Sequence, residues 1–198
     1  MEKLKIYQAL LEKWQKKINL VAPSTTPHLW ERHFKDSLQL ISHLPQVHSS
    51  LLDLGSGAGF PGLVLAISQC HNLSVTLIES DVKKCLFLEN VSRETNIPVV
   101  VINERIENLE GKLKGDIITA RGLAPLSLLI NYALPLMKPE SFCLFLKGKE
   151  YESEINEAKK KWEFELEIFE SLTDSRARIL KLTHPKRITA DDKNNSRC

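Results

Sequence analysis

Residues 51 to 62 read Leu-Leu-Asp-Leu-Gly-Ser-Gly-Ala-Gly-Phe-Pro-Gly, an apolar run broken only by Asp53, followed by four glycines in eight residues. Such a run entering a glycine-dense turn and then a helix from Pro61 is the pattern of a strand, a tight loop and a helix. Glycines in that loop let the backbone approach a bound molecule closely. Open α/β sheets bind ligands at this end of a strand. A purely structural turn has no need of so many glycines.

Downstream of the loop, short apolar runs recur at 75–78, 99–102, 117–120 and 142–146, spaced widely enough for helices between them. With 51–54 they make a βαβ rhythm. The runs lack strict alternation, as expected of strands buried on both faces, so the spacing predicts a mostly parallel, doubly wound α/β sheet. A charged helix is expected at about 150–161. Two more strands follow at 164–169 and 177–182, and the short link 173–175 favours an antiparallel pair.

Upstream, Leu4, Tyr7, Leu10, Leu11, Trp14 and Ile18 recur at three- and four-residue steps, which predicts an amphipathic helix. Pro23, Ser24 and Pro27 break it. A second helix is expected over 29–44, with Trp30, Phe34, Leu38 and Ile41 on one side. The chain therefore divides into an N-terminal helical cap (1–48), a ligand-binding domain (49–185) and a basic polar tail (186–198).

Composition narrows the class. At 198 residues, with 42% hydrophobic and 26% charged residues, the chain can bury a core and falls outside the disordered compositions. The N-terminus is broken by charge every few residues, so neither a membrane span nor a signal peptide is expected, and a cytoplasmic location follows. Cys70, Cys85, Cys143 and Cys198 form no C-x-x-C pair, which argues against a disulfide framework or a metal site. The net charge of +2 neither requires nor excludes a polyanionic partner. Its distribution is more telling, because Lys13, Lys16 and Lys17 near one end and Lys186, Arg187, Lys193 and Arg197 near the other make both ends mildly basic. That hints at phosphate contact, although a solvated helix face and a polar tail explain the same counts.

Two ligands fit the glycine loop by pattern. Residues 57–62 match the dinucleotide fingerprint G-x-G-x-x-G, while 55–59 match the loop of S-adenosylmethionine enzymes. A dinucleotide sets a doubly negative pyrophosphate over the turn and uses its free amides. Asp53 would repel it, and Pro61 removes one amide. S-adenosylmethionine carries an ammonium and a sulfonium instead, so the carboxylate becomes an attraction. The methyl donor is the favoured ligand, with Gly55, Gly57 and Gly59 as its cradle.

The later strand ends supply further candidates. Glu79, twenty-four residues after Gly55, is spaced to accept from ribose hydroxyls on either ligand. Ile106 and Glu107 stand where an adenine would lie, one to cover the ring and one to accept from its amino group, although a Glu in a first helical turn also has a dipole explanation. Arg121 ends the fourth strand. Its guanidinium suits the donor's carboxylate or an RNA phosphate, or a plain surface ion pair. Lys147 adds a basic edge after the fifth strand.

Taken together, these residues resemble the bacterial small-subunit ribosomal RNA methyltransferases, also called the glucose-inhibited division protein B family. The resemblance rests on Trp14 with Asn19-Leu20, Arg32-His33 with Asp36-Ser37, residues 53–62, Glu79-Ser80 with Lys83-Lys84 and Phe87-Leu88, Arg105 with Glu107, and Arg121. It spans roughly residues 10 to 150. It implies a class I, Rossmann-like S-adenosylmethionine-dependent methyltransferase that transfers methyl to N7 of one guanine of 16S ribosomal RNA. By motif position it implies donor contacts at Gly55, Phe60, Ile106, Glu107 and Arg121. Three departures stand out: Gln15 follows Trp14, Gly122 follows Arg121, and the N-terminal helical region is short.

Guanine N7 carries an in-plane lone pair and no proton, so in-line displacement needs no general base and positioning carries the catalysis. His33 and Asp36 are candidates to face the substrate, although a helix-surface pair is the plainer reading. Lys13, Lys16, Lys17, Arg32, Lys147, Arg187 and Arg197 are candidate phosphate contacts. The expected partner is 16S ribosomal RNA, within the small subunit or an assembly intermediate, bound by a monomer. A nicotinamide oxidoreductase and a non-catalytic ribosome-assembly factor remain as alternatives.

Overall fold

The computed structural model describes residues 1–69 and 72–189. In chain order the regular elements are α1 (Glu2–Gln15), α2 (Asp36–Leu38), β1 (Ser49–Leu54), α3 (Gly62–Ser68), β2 (Leu73–Glu79), α4 (Val82–Thr95), β3 (Val100–Asn103), β4 (Gly115–Arg121), α5 (Leu126–Ala133), β5 (Met137–Lys147), α6 (Tyr151–Lys159), β6 (Trp162–Glu170) and β7 (Arg178–Arg187). The strands form one sheet in the order β3-β2-β1-β4-β5-β7-β6. Strands β1 to β5 run parallel, and β7 lies antiparallel between β5 and β6. This is the mostly parallel, doubly wound, Rossmann-like sheet that the spacing predicts, with its antiparallel final pair.

Successive residues of the central strands serve opposite faces, and both faces are covered. Leu51, Leu77, Ile117 and Leu144 pack with α1, α3 and α4, whereas Leu52, Ile78, Ile118 and Phe145 pack with α5 and α6. Both sets of side chains are therefore apolar, which is why the runs do not alternate with polar residues.

The helical cap shares the first of these cores. Leu4, Tyr7, Leu11, Phe34 and Leu40 are buried in the same cluster as Leu51 and Leu77. Helix α1 lies antiparallel to α4: Lys3 reaches the Asn96 carbonyl at the far end of α4, and Trp14 Nε1 donates to Asn90 Oδ1 at 3.1 Å. The end of α1 that carries Lys13 is therefore the one nearer the carboxyl edge of the sheet.

The expected second helix is not one helix. Residues 23–28 and 39–43 wind as tight 3-10 turns, Trp30–Lys35 as a wide π turn, and only α2 between them is α-helical. The apolar spacing reports the buried side correctly but is blind to winding. Here Ser37 Oγ donates back to the His33 carbonyl at 2.7 Å, a side-chain bond that competes with the regular ladder. Strand β7 also runs five residues beyond its expected end, carrying Lys186 and Arg187 into the sheet instead of a tail. No described helix is long and apolar enough to cross a membrane.

Candidate methyl-donor and substrate cleft

The loop after β1 owes its path to its glycines. Gly55 and Gly57 have φ of +60° and +57°, and a side chain on Gly55 would strike Leu123. Ser56 N donates to the Ile78 carbonyl at 2.9 Å, and Gly57 N donates to Glu79 Oε2 at 2.8 Å. The other Glu79 oxygen accepts from Asp81 N at 2.8 Å. Glu79 thus clasps the loop to the end of β2, while a carboxylate has lone pairs left for a ligand.

Two of the expected donor contacts lie elsewhere. Asp53 is fully buried behind the loop, where Thr119 Oγ1 donates to it at 2.7 Å and Gly62 N at 3.2 Å. Burial pushes its pKa up to about 6, against the pull of those hydrogen bonds and of Arg121. Asp53 therefore joins β1, β4 and the start of α3 from behind. It reaches Gly62 so closely that a Cβ there would sit 2.6 Å from its own Cβ. From there Asp53 presents no carboxylate surface to the cleft, so it does not confront a pyrophosphate directly. Gly59 is the second correction: at φ +92° it faces the Tyr7 hydroxyl, Leu63 and Leu88, so it makes room for packing against the cap. Tyr7 donates its hydroxyl hydrogen to the neighbouring Ala58 carbonyl.

Arg121 is the hub between cap and sheet. Its Nη1 donates to Asp36 Oδ2 and to the Arg32 carbonyl, both at 3.0 Å, and its Nη2 to His33 Nδ1 at 2.7 Å. The guanidinium also lies 4.9 Å from the Phe60 ring centroid. These bonds settle the histidine tautomer. With Nδ1 accepting, Nε2 carries the hydrogen and donates to Thr25 Oγ1 at 2.8 Å, whose own hydrogen goes to the Ala22 carbonyl. Burial, with Arg121 and Arg32 adding repulsion, lowers the His33 pKa to about 3. His33 is a neutral ring stacked on Phe60 at 5.0 Å.

A cleft of about 740 Å³ opens at the carboxyl edge of the sheet, where strand order reverses between β1 and β4. Gly55, Gly57, Glu79, Ile106 and Glu107 line one half, and Thr25, Arg32, His33, Asp36 and Asp174 the other, with Phe60 and Arg121 between them. Sequence reasoning missed several of these. Tyr132 on α5 enters beside Glu107, which accepts its hydroxyl hydrogen. Thr173 and Asp174, expected only as a strand link, close over the cap: Thr173 Oγ1 donates to Asp36 Oδ1 at 2.7 Å, and Asp174 pairs with Arg32 at 3.1 Å. No short pattern announces a contact between residues so distant in the chain.

The basic candidates separate clearly. Lys147 is largely buried, pairs with Glu154 at 2.6 Å, donates to the Ala124 carbonyl and lines the cleft rather than the outer surface. Lys13, Lys16 and Lys17 are exposed at the end of α1, and the segment that follows them brings Leu20, Val21 and Ala22 to the cleft. Arg187 lies at the opposite end of the sheet beside Trp162, since it is Arg178 that pairs with Lys147. Lys193 and Arg197 lie outside the described residues, as do Cys70 and Cys198; Cys85 and Cys143 are buried free thiols. Among the described residues no group of three or more His, Cys, Asp or Glu could hold a metal ion.

Comparison with known proteins agrees with this geometry. Among solved structures, ribosomal protein L11 methylase from Lactobacillus delbrueckii subsp. bulgaricus superposes with a TM-score of 0.61 at 17% identity, over 75% of this chain and 76% of that one. A T. thermophilus 16S rRNA N2 G1207 methyltransferase, solved with AdoMet and guanosine, gives a TM-score of 0.56 at 18% identity over 84% and 44%. These likenesses concern the fold. Sequence relatives are nearer: ribosomal RNA small subunit methyltransferase G of Paramagnetospirillum magneticum is 46% identical over 94% of this chain and 90% of its own length, and that of Rickettsia prowazekii is 42% identical over 95% and 96%. The family model for rRNA small subunit methyltransferase G matches residues 1–182, and the chain belongs to that family.

Proposed function

We propose that the protein transfers a methyl group from S-adenosylmethionine to N7 of a guanine in 16S ribosomal RNA. The observation that carries this reading is the divided cleft. One half offers a glycine-walled cradle with the Glu79 carboxylate, and the other is a neutral aromatic wall of His33 and Phe60 walled by the cap. About 740 Å³ is at the upper end of small-molecule sites and leaves room for a nucleobase beside a nucleoside donor.

The chain's residues fit the donor. Gly55 and Gly57 bring bare backbone to it, Glu79 keeps acceptor capacity for ribose hydroxyls, and Ile106 and Glu107 flank the adenine end. Arg121 has spent three of its five N–H donors on the cap and keeps the rest for a carboxylate. Bound there, the donor supplies an electrophilic methyl on a sulfonium. Guanine N7 needs no deprotonation, and neither His33 nor Asp36 is placed to act as a base. His33 is neutral with both nitrogens engaged, and both oxygens of Asp36 accept hydrogen bonds. What the protein contributes is alignment, worth several kcal/mol when the reacting atoms are held about 3 to 3.5 Å apart.

The substrate side extends to Lys13, Lys16, Lys17, Lys83 and Arg32 as phosphate contacts, on a monomer acting on the small subunit or an assembly intermediate in the cytoplasm. Ribosomal RNA from cells with and without the protein, cleaved selectively at N7-methylguanine and read by primer extension, tests the reading. A stop present only with the protein identifies base and atom together. Donor binding without any methyl incorporation would instead indicate a non-catalytic assembly factor.

A further inference from the structure

Leu172 is 86% exposed, more than any other large apolar side chain among the described residues, yet its backbone N–H is tied to the buried Gln39. It sits in the link 171–177 between β6 and β7, at the mouth of the cleft. The buried Gln39 grips this link. Its Oε1 accepts from Leu172 N at 2.8 Å, while its Nε2 donates to Asp36 Oδ1 at 2.9 Å and to Ser171 Oγ at 3.3 Å. On the other side Thr173 is tied to Asp36 and Asp174 to Arg32. A leucine in a mobile loop would need no explanation. This one is aimed into solvent by a largely buried polar network that also holds Arg121.

The surroundings say what would cover it. Asp174, two residues on, pairs with two exposed guanidinium groups, Arg32 and Arg176, at 3.1 and 3.2 Å, so the link that carries the apolar tip also carries positive side chains. Phosphates flanking a nucleobase step present the complementary arrangement. Stacked RNA also hides the edge that must be methylated. The major groove of an A-form helix is deep and narrow, so a guanine whose N7 is to enter a closed cleft has to leave its stack, which opens a gap between its neighbours at the cleft mouth. Apolar side chains commonly fill such gaps.

We infer that Leu172 is a positioning residue that inserts where the target guanine leaves the stack, packing against a neighbouring nucleobase while Arg32 and Arg176 hold the adjoining phosphates. The inference rests on the RNA-methylating reading above. Leu172 touches the substrate's neighbours and takes no part in bond making.

The test uses the full-length protein, small subunits or 16S ribosomal RNA lacking the modification, and labelled S-adenosylmethionine. Three variants are compared: L172A, L172D and L172F. L172A should lower kcat/KM for RNA about tenfold and L172D further, whereas L172F should restore most of it, because a larger apolar tip still fills the gap. Donor affinity and Tm should stay at wild-type values, since the side chain packs on nothing in the free protein. A 2-aminopurine beside the target should brighten on binding wild type and L172F, and less with L172A. Wild-type turnover and fluorescence in L172A and L172D would overturn the inference alone. A dimer abolished by L172D would overturn it in favour of self-association. Absence of methyl transfer by the wild type would overturn the parent reading, and this one with it.

Discussion

The guanidinium of Arg121 and the carboxylate of Asp36 meet at 3.0 Å, joining the end of β4 to the helical cap across 85 positions of sequence. Both side chains are mostly buried, 18% and 15% exposed, so neither is well solvated without the other. Asp36 also receives Thr173 and Gln39, which makes one carboxylate the meeting point of sheet, cap and β6–β7 link. Asp36→Ala should therefore loosen three segments at once. Removing one partner of a buried pair costs about 3–5 kcal/mol, and partial exposure here brings the expectation to about 2–4 kcal/mol in urea unfolding. Donor affinity should fall with it, because Arg121 loses its orientation. Unchanged stability would mean that the cap is held by apolar packing alone.

Glu79 gives a sharper test of the donor half of the cleft. In Glu79→Gln one oxygen still accepts, but the other position becomes an amide donor facing the Gly57 or Asp81 N–H. Hydrogen bonds to a charged group are worth about 1.5–3 kcal/mol, so S-adenosylhomocysteine affinity measured by calorimetry should drop about 10- to 150-fold. An affinity within twofold of wild type would remove Glu79 from the donor site.

Buried Asp53 and His33 predict opposing pH dependences. The Asp53 pKa of about 6 is raised by burial above the usual 3.8, so the folded state holds its proton more tightly than the unfolded chain. Its contribution is present below about pH 4 and is lost as pH rises through 6, a swing of about 3 kcal/mol. His33 acts the other way. Its pKa is lowered to about 3, so stability is lost as pH falls below the unfolded value of 6.5. Between pH 4 and 6 the two slopes oppose each other. Relative to wild type, Asp53→Asn should grow more stable as pH rises from 4 to 6, and His33→Asn should grow less so, in denaturant unfolding at each pH. Parallel curves for wild type and Asp53→Asn would show that the carboxyl keeps an ordinary pKa.

The glycines separate packing from conformation. Gly122 has φ +63° with open space where a Cβ would stand, so Gly122→Ala should cost only the left-handed penalty of about 1–2 kcal/mol. Gly59 has φ +92°, and its Cβ would also lie 2.7 Å from the Tyr7 hydroxyl and 2.9 Å from Leu63. Overpacking adds about 1–3 kcal/mol, so Gly59→Ala should be clearly the worse of the two in thermal unfolding. Equal losses would mean that cap and loop move apart at little cost.

How much of this was legible beforehand follows from the range of each interaction. The seven strands were readable because each is a local apolar run, and the antiparallel pair because its link is short. The winding of 23–43 was not, since apolar spacing reports which side is buried and not how many residues make a turn. Asp53 and Lys147 had the right residue type at the right strand ends, but partners that no local pattern marks decide their roles. Thr119 and Gly62 draw Asp53 behind the loop, and Glu154 draws Lys147 inward. The same holds for Asp174, whose partner Arg32 lies 142 positions away.

The two basic ends of the chain, alike in composition, should behave differently toward RNA. Lys16 and Lys17 stand exposed just past α1, a few residues before Leu20, Val21 and Ala22, which line the cleft. Arg187 ends a strand that runs away from that edge, nine residues past Arg178, or roughly 30 Å at about 3.4 Å per residue. A phosphate backbone entering the cleft passes the first site and misses the second. Reversing Lys16 and Lys17 to Glu should weaken binding of small-subunit RNA and reduce the slope of log affinity against log salt, by about 0.7–0.9 for each lost phosphate contact. Arg187→Glu carries a charge change of the same sign and should leave that slope unchanged, which separates a local contact from a general loss of positive charge. If both variants shift the slope equally per charge, the RNA is responding to the field of the whole protein, and no phosphate track passes the end of α1.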